Sequence, residues 1–257
     1  MSPGGLRRRL AMRAARLIGG GPWHTQRLSE LQAVFDLHAY RGLRDAMAVQ
    51  VVLATVLRPD SHVIDIGANR GELLEPMMKL APTGQYLAYE PIPDLARELA
   101  ERFPLALVRQ VALSDEEGSS TFRHVVDQSG YSGLRPRAGD LGRVQEITVD
   151  VRRLDDDLPA DFRPVLIKVD VEGAEVRVFK GSLRTLERFK PVLLFEHDRT
   201  DLYETNSDDL WDMLSGSGYR IFNMEGGGPY SREHFRTPAP EWNYMAIPSG
   251  HPLTPES

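Results

Sequence analysis

The chain has 257 residues, a net charge of −6 and no cysteine. At this length one large domain buries roughly 70–75% of its unfolded surface, so no covalent or metal staple is needed, and the missing cysteines exclude disulfides, thiol catalysis and cysteine-ligated zinc. The acidic balance argues against nonspecific nucleic-acid binding by the whole molecule while leaving local basic patches open, and no apolar run approaches the roughly 18–20 residues of a membrane span; with the absent thiols this fits a reducing cytoplasm.

Residues 1–17 carry Arg7, Arg8, Arg9, Arg13 and Arg16 among Leu6, Leu10, Met12, Ala15 and Leu17, the pattern of a basic amphipathic helix. The arginines interrupt its apolar part too often for a secretion signal. Peripheral contact with an anionic membrane surface or an acidic partner is one expectation; a solvated leader ending at Gly19-Gly20-Gly21-Pro22 is the other. Residues 28–57 return to a helical period, with Leu31, Val34, Phe35, Met47, Val51, Val52 and Val56 as expected core. Residues 1–60 thus read as an N-terminal helical extension, and residues 61–257 as one α/β domain.

That domain opens with Val63, Ile64 and Ile66, a short β-branched run stopped by Gly67, and a helical pattern follows Gly71. Strand, tight turn and helix form a unit in which glycine lets a ligand approach the main chain and the helix start offers free N–H groups. The next strand, residues 85–89, ends in Glu90. A carboxylate about 20 residues beyond a glycine turn is where doubly wound folds hold a ribose. The same residues also suit a βαβ unit with no ligand. If a ligand binds, Asp65 directly ahead of the first glycine would repel a pyrophosphate and attract an ammonium, and GANRG is not the G-x-G-x-x-G of dinucleotide binders. S-adenosylmethionine therefore fits better than NAD: it offers a ribose to Glu90, an amino group to Asp65 and a carboxylate to the helix start.

Residues 93–103 read as a helix with Pro93 near its start, and residues 105–113 as a third strand. The alternation of helix and strand predicts a largely parallel sheet. Ala112, Ser114 and Asp115 follow this strand and are expected near an adenine, or else in a plain polar turn. Residues 118–154 break the rhythm: 121–126 and 146–151 alternate like antiparallel strands around a Gly/Ser-rich stretch, an insertion expected to form a rim or lid. Ser129, Tyr131 and Ser132 in it are candidate acceptor contacts, unless the stretch is only a connector. Residues 165–169 are a buried strand carrying Lys168, and Asp170, Glu172 and Glu175 crowd its C-terminal end. Capping of the following helix, residues 174–189, accounts for Glu172 and Glu175 better than for Asp170. A fifth strand, residues 191–195, ends in Glu196-His197-Asp198, which brings Asp170, Glu196 and His197 to one sheet edge.

Taken in order, VIDIGANRG, the AYEP segment, VALSD, GYSGL, LIKVDVEGAE and PVLLFEH resemble the FkbM-type family of S-adenosylmethionine-dependent methyltransferases across residues 61–197. The resemblance implies a Rossmann-like, doubly wound, seven-stranded, mostly parallel sheet, the class I methyltransferase fold. For many members it implies O-methylation of a hydroxyl on a sugar, polyketide or other natural product. Carried over by position, Asp65, Gly67, Asn69, Gly71 and Glu90 are implied cofactor contacts, and Asp170 and Glu172 the floor of the reaction site. The last elements fit this fold: a helix at 207–216, then antiparallel strands at 219–224 and 242–247. The stretch 226–240 between them is expected to be a loop over the acceptor, with Tyr203, Trp211, Trp242 and Tyr244 stacking on a sugar or packing in the core.

Methyl transfer to oxygen needs an aligned acceptor and removal of its proton. His197 is the expected base because imidazole titrates near neutrality, with Asp170 and Glu196 orienting it or replacing it; a hydrogen-bonded structural histidine is the plainer account. A divalent cation held by Asp170, Glu172 or Glu196 is a further variant. Two other classes stay open: a nucleoside-cofactor-binding scaffold without catalysis, and another Rossmann-type enzyme using NAD. Acceptor identity and oligomeric state have no sequence signal.

Overall fold

β-branched and aliphatic runs bounded by turn residues set the framework. In the computed structural model, which describes residues 37–126, 129–134, 143–197, 207–237 and 242–253, each such run is a strand. The arginine-rich stretch 1–17, together with Leu31, Val34, Phe35, Asp198 and Tyr203, lies outside the described residues. Two compact units are present, residues 1–52 and 53–257. The helix α1 (Leu37–Val56) runs through their boundary. Val49, Leu53 and Val56 are buried at i, i+4, i+7 spacing, whereas Met47 and Val51 are exposed, contrary to the expected core. Their angular offset on the helix explains this: they point away from the buried stripe.

The second unit is built on a seven-stranded sheet of order β3-β2-β1-β7-β8-β10-β9. Its strands are β1 (His62–Ile66), β2 (Tyr86–Tyr89), β3 (Ala106–Arg109), β7 (Pro164–Val169), β8 (Val192–Glu196), β9 (Tyr219–Asn223) and β10 (Asn243–Pro248). All neighbours pair in parallel except β10, which is antiparallel to both β8 and β9. The order reverses beside β1, which lies between β2 and β7. That reversal opens a crevice at the strand C-termini. Ile64, Leu87, Ile167 and Leu193 are all fully or almost fully buried, as expected for a sheet covered on both faces. The covering helices are α2 (Leu74–Leu80), α3 (Pro93–Arg102), α4 (Leu154–Asp157), α5 (Glu175–Lys180), α6 (Leu183–Phe189), α7 (Ser207–Gly216) and α8 (Arg232–Arg236).

Three expected elements take a different form. The run 105–113 is not one strand, because the chain leaves the main sheet after Arg109 and Ala112–Leu113 becomes β4, paired in parallel with Val151 and Arg152. The expected helix 174–189 is broken at Gly181-Ser182, where the Ser182 hydroxyl donates to the Val178 carbonyl at 2.6 Å and ends α5. The stretch 226–240 is not simply a loop, since it contains α8, whose Phe235 is completely buried.

The insertion forms its own three-stranded sheet, β4-β6-β5, from β4, β5 (Gly118–Val125) and β6 (Val144–Arg152). β5 and β6 pair antiparallel from Gly118↔Val151 to Val125↔Val144. Phe122, Val149 and Val151 face Ile92 and Leu95, so this sheet packs beside the start of α3.

Candidate functional site

β1 ends at the crevice, and the turn after it sets the site's shape. Gly67 has φ +74°, and a Cβ there would stand 1.8 Å from the carbonyl oxygen of Asp170 at the end of β7. Only glycine allows the two strand ends to approach so closely. The amides of Gly67 and Ala68 both donate to the Tyr89 carbonyl, at 3.0 and 3.1 Å, which fastens the turn to β2 as well. Gly71 also has φ +74°, but the position of its absent Cβ is 2.4 Å from the Phe103 ring and 2.9 Å from Leu99. It seats the turn on α3 and does not line the cleft, a correction to its expected place among the ligand contacts.

Glu90, at the tip of β2, is 4% exposed and faces this turn. Its Oε2 accepts from the Asn69 amide at 2.8 Å and its Oε1 from the Ile92 amide at 2.9 Å. Burial outweighs those two hydrogen bonds and pushes its pKa up to about 7. Each oxygen keeps a further acceptor site, the need that a vicinal diol meets with two O–H donors. Asn69 reaches Glu90 through a left-handed backbone, φ 47°, which asparagine tolerates better than most residues. Its side-chain Oδ1 accepts from the Ser129 hydroxyl at 3.0 Å, linking the insertion to the turn.

Asp65 is not at the ligand surface. It is 1% exposed, beneath the turn, and its Cα partner across β1 and β7 is Lys168. Partners in register share a face, so the ammonium stands 3.2 Å from the Asp65 carboxylate. Burial raises the Asp65 pKa although Lys168 pulls the other way. Lys168 also donates to the Gly67 carbonyl at 2.8 Å and stands 3.4 Å from Asp170. Burial by itself would lower the lysine's pKa, but Asp65 and Asp170 together reverse that and hold it charged. The expected attraction of Asp65 for a ligand ammonium is thus replaced by an internal ion pair.

Between turn and insertion lies a cleft of about 600 Å³, measured out to solvent. Its polar floor holds Gly67, Asn69, Glu90 and Asp170; Ile92, Val111, Leu113, Phe122 and Leu134 form apolar walls. An apolar slot with a few convergent polar groups is the usual form of a cofactor site. Ala112 lines it as expected, but Ser114 and Asp115 do not. The Ser114 hydroxyl is turned to Asp115, whose carboxylate lies 3.8 Å from Arg177. Phe122 and Leu134 were not picked out as ligand contacts from the sequence. Strand alternation gives no clean signal for Phe122: the buried positions of β5, Phe122 and Val125, are three residues apart. Ser129 and Ser132 line the same cleft, Ser132 accepting from the Val125 amide at 2.9 Å to close the loop; the side chain of Tyr131 lies outside the described residues.

The opposite lip is acidic. Asp170 and Glu172 line the cleft, Glu172 with φ 53°. Glu175 is 2% exposed and accepts from the Gly173 amide at 3.0 Å and the Val171 amide at 3.3 Å, so it braces the turn; burial pushes its pKa up to about 7. Glu196 is pushed up to about 9, first by burial and then by the negative charges of Asp170, Glu172 and Glu175, with Lys168 opposing. Among the described residues no group of three His, Asp or Glu side chains is placed to hold a metal ion.

His197 does not belong to this edge. It is completely buried, its ring stacked on Phe235 with centroids 5.4 Å apart, its Nε2 2.9 Å from the Ser207 hydroxyl and its amide donating to the Trp242 carbonyl. Addition of β10 beside β8 carries it under α8 and away from the cleft. Tyr244 and Trp211 are likewise structural: Tyr244 is fully buried and Trp211 donates to the Tyr230 carbonyl at 2.9 Å, while Trp242 is 39% exposed.

A known family covers this stretch of the chain. The model of the methyltransferase FkbM domain matches residues 65–221, from the buried Asp65 to β9. The chain belongs to the FkbM methyltransferase family. It is 32% identical over 171 residues to the 2-O-methyltransferase NoeI of Sinorhizobium fredii NGR234, covering 60% of this chain and 70% of NoeI. It is 30% identical over 145 residues to Methyltransferase 1 of Beauveria bassiana, covering 48% of this chain and 58% of that one. The crystal structure of Methyltransferase FkbM from Methylobacillus flagellatus KT is similar at 18% identity and a TM-score of 0.49, over 94% of this chain and 59% of that one. Membership makes this an S-adenosylmethionine-dependent methyltransferase of FkbM type. The class I order of its sheet, with one antiparallel strand inserted next to the last edge, agrees with the family's fold. No helix among the described residues is long and apolar enough to cross a membrane.

Proposed function

We propose that this FkbM methyltransferase moves a methyl group from S-adenosylmethionine to a hydroxyl oxygen of a small-molecule or glycan acceptor, a sugar or related natural product. The observation that carries the reading is Glu90: a buried carboxylate, held by two backbone amides at the end of β2 and facing an apolar slot. Such a group suits the ribose diol, with Gly67 and Asn69 forming the floor beneath it and Ile92, Leu113, Phe122 and Leu134 enclosing an adenine. When bound, the cofactor supplies an electrophilic methyl on a sulfonium.

The chain's task is then to align an oxygen and take its proton. Asp170 is the base in this reading: it lines the cleft, is about one-third exposed, and is held from behind by Lys168. Glu172 shares the acceptor face. Glu196 stands behind this edge, and burial with the negative charges of Asp170 and Glu172 raises its pKa. NoeI, a 2-O-methyltransferase 32% identical to this chain, supports oxygen as the atom methylated.

The test is transfer of a labelled methyl group from S-adenosylmethionine to a panel of sugars and hydroxylated natural products, with the new bond identified by mass spectrometry and NMR. A methyl ether, lost in Asp170→Asn, is expected. A product methylated on nitrogen or carbon refutes the oxygen assignment.

A further inference from the structure

The mechanism above uses only one contact of the buried cation, the one to Asp170. Lys168 is 9% exposed, and its ammonium touches Asp65 at 3.2 Å, the Gly67 carbonyl at 2.8 Å and Asp170 at 3.4 Å. A counter-ion for Asp65 would need only the first of these contacts. A neutral apolar pair would fill the space between two strands without the cost of desolvating charge. The other two contacts lie on different halves of the site: Gly67 opens the turn under the cofactor slot, and Asp170 stands at the acceptor lip. They are also the two residues packed so closely that a Cβ at Gly67 would stand 1.8 Å from the Asp170 carbonyl oxygen.

We propose that Lys168 is the positioning residue of methyl transfer, its ammonium fastening the Gly67 carbonyl and the Asp170 carboxylate to a single point so that cofactor turn and acceptor edge keep a fixed separation. It acts only through the Gly67 carbonyl and the Asp170 carboxylate. Asp65 is its rear anchor: in register across β1 and β7, it prevents the flexible lysine stem from leaving the junction. The inference rests on the reading that Asp170 faces the acceptor.

Neutralising both members of the ion pair separates positioning from charge balance. In Asp65→Asn/Lys168→Met no buried charge is left unpaired, so the fold survives and the strand ends stay paired, but no side chain bridges the Gly67 carbonyl and the Asp170 carboxylate. A misplacement of about 1 Å costs on the order of 100-fold in rate, so kcat is expected to fall by roughly that factor while the KM for S-adenosylmethionine and the Kd of S-adenosylhomocysteine change by less than about tenfold. A double variant that melts within a few degrees of wild type and keeps its kcat overturns the proposal and leaves Lys168 a counter-ion only. If the double variant does not fold, Lys168→Arg carries the test. Its guanidinium keeps charge beside Asp65 but displaces the donors from Gly67 and Asp170; kcat should fall with KM held, and an unchanged kcat overturns the proposal. Asp170→Asn, assayed in parallel, tests the underlying reading separately: full turnover in that variant removes Asp170 from the acceptor edge whatever the Lys168 variants do.

Discussion

The proposed contact between Glu90 and the ribose predicts that cofactor binding depends on pH. Its carboxyl is lifted from the ordinary 4.5 to about 7, with burial the main cause. At 1.36 kcal/mol per pH unit, ionising it in the ligand-free fold costs about 3 kcal/mol relative to the unfolded chain. The sign follows from the raised value: this contribution to stability is complete below about pH 4.5 and is lost as pH rises through about 7. A ribose diol donates hydrogen bonds, which favour the ionised carboxylate, so ligand binding pulls the pKa back down and releases a proton. Near pH 6 only about a tenth of the ligand-free protein carries an ionised Glu90, against about nine-tenths near pH 8; the affinity for S-adenosylhomocysteine should weaken about tenfold across that interval, or ~1.4 kcal/mol. Calorimetric titration in buffers of different ionisation enthalpy reads both the affinity and the released proton. Glu90→Gln should abolish the pH slope and cost a further ~1.5–3 kcal/mol at pH 8, the worth of a charged hydrogen bond. Equal affinity at pH 6 and pH 8 with no proton released, matched by Glu90→Gln, refutes the reasoning.

Three further outcomes are expected. Gly67→Ala drives a methyl group into the Asp170 carbonyl and strains a φ of +74°, so it should cost at least ~2 kcal/mol of stability, seen as a lower melting temperature, and cut turnover in the folded fraction; differential scanning calorimetry beside the labelled-methyl assay measures both. His197→Asn removes a ring stacked on Phe235 and should reduce thermal stability while leaving kcat of the folded enzyme within a few-fold of wild type, whereas Asp170→Asn should cost ~100-fold or more in kcat; a large kcat loss in His197→Asn alone would restore the histidine as base. Phe122→Ala opens one wall of the cleft and leaves a cavity in the insertion's core, costing ~3–5 kcal/mol of stability and weakening S-adenosylhomocysteine; unchanged affinity in the folded variant removes Phe122 from the cofactor wall.

Much of the cofactor side was legible because it depends on local order. The β-branched run, the turn glycines and Glu90 are close in sequence, and a strand tip leaves a carboxylate little choice of direction. The errors arise where distant segments decide. Asp65 is one residue from the turn, but alternation points it down to Lys168, its partner a hundred residues later, so its charge is spent inside. Gly71 was read as a ligand contact because glycine marks close approach without naming the partner, here the Phe103 ring. His197 follows an acidic strand end as a base might, yet the chain's last strand pairs alongside and α8 covers it. Ser114 and Asp115 follow a strand that leaves the main sheet, a departure set by pairing with β6. The cleft's apolar walls come from an insertion whose packing side is fixed only when Phe122 meets Ile92.

The placement of β10 has a consequence for synthesis. β9 is made before β10 but, among the described residues, has no partner in the sheet except β10, and the edge of β8 beyond Leu193 is closed by the same strand. Until β10 is made, an apolar edge of β8 therefore stays open and β9 has no place in the sheet, the kind of surface that draws holdase chaperones or other nascent chains. β10 is the strand that joins β8 to β9, so a truncation before Asn243 should be far more damaging to solubility than its distance from the cofactor cleft suggests.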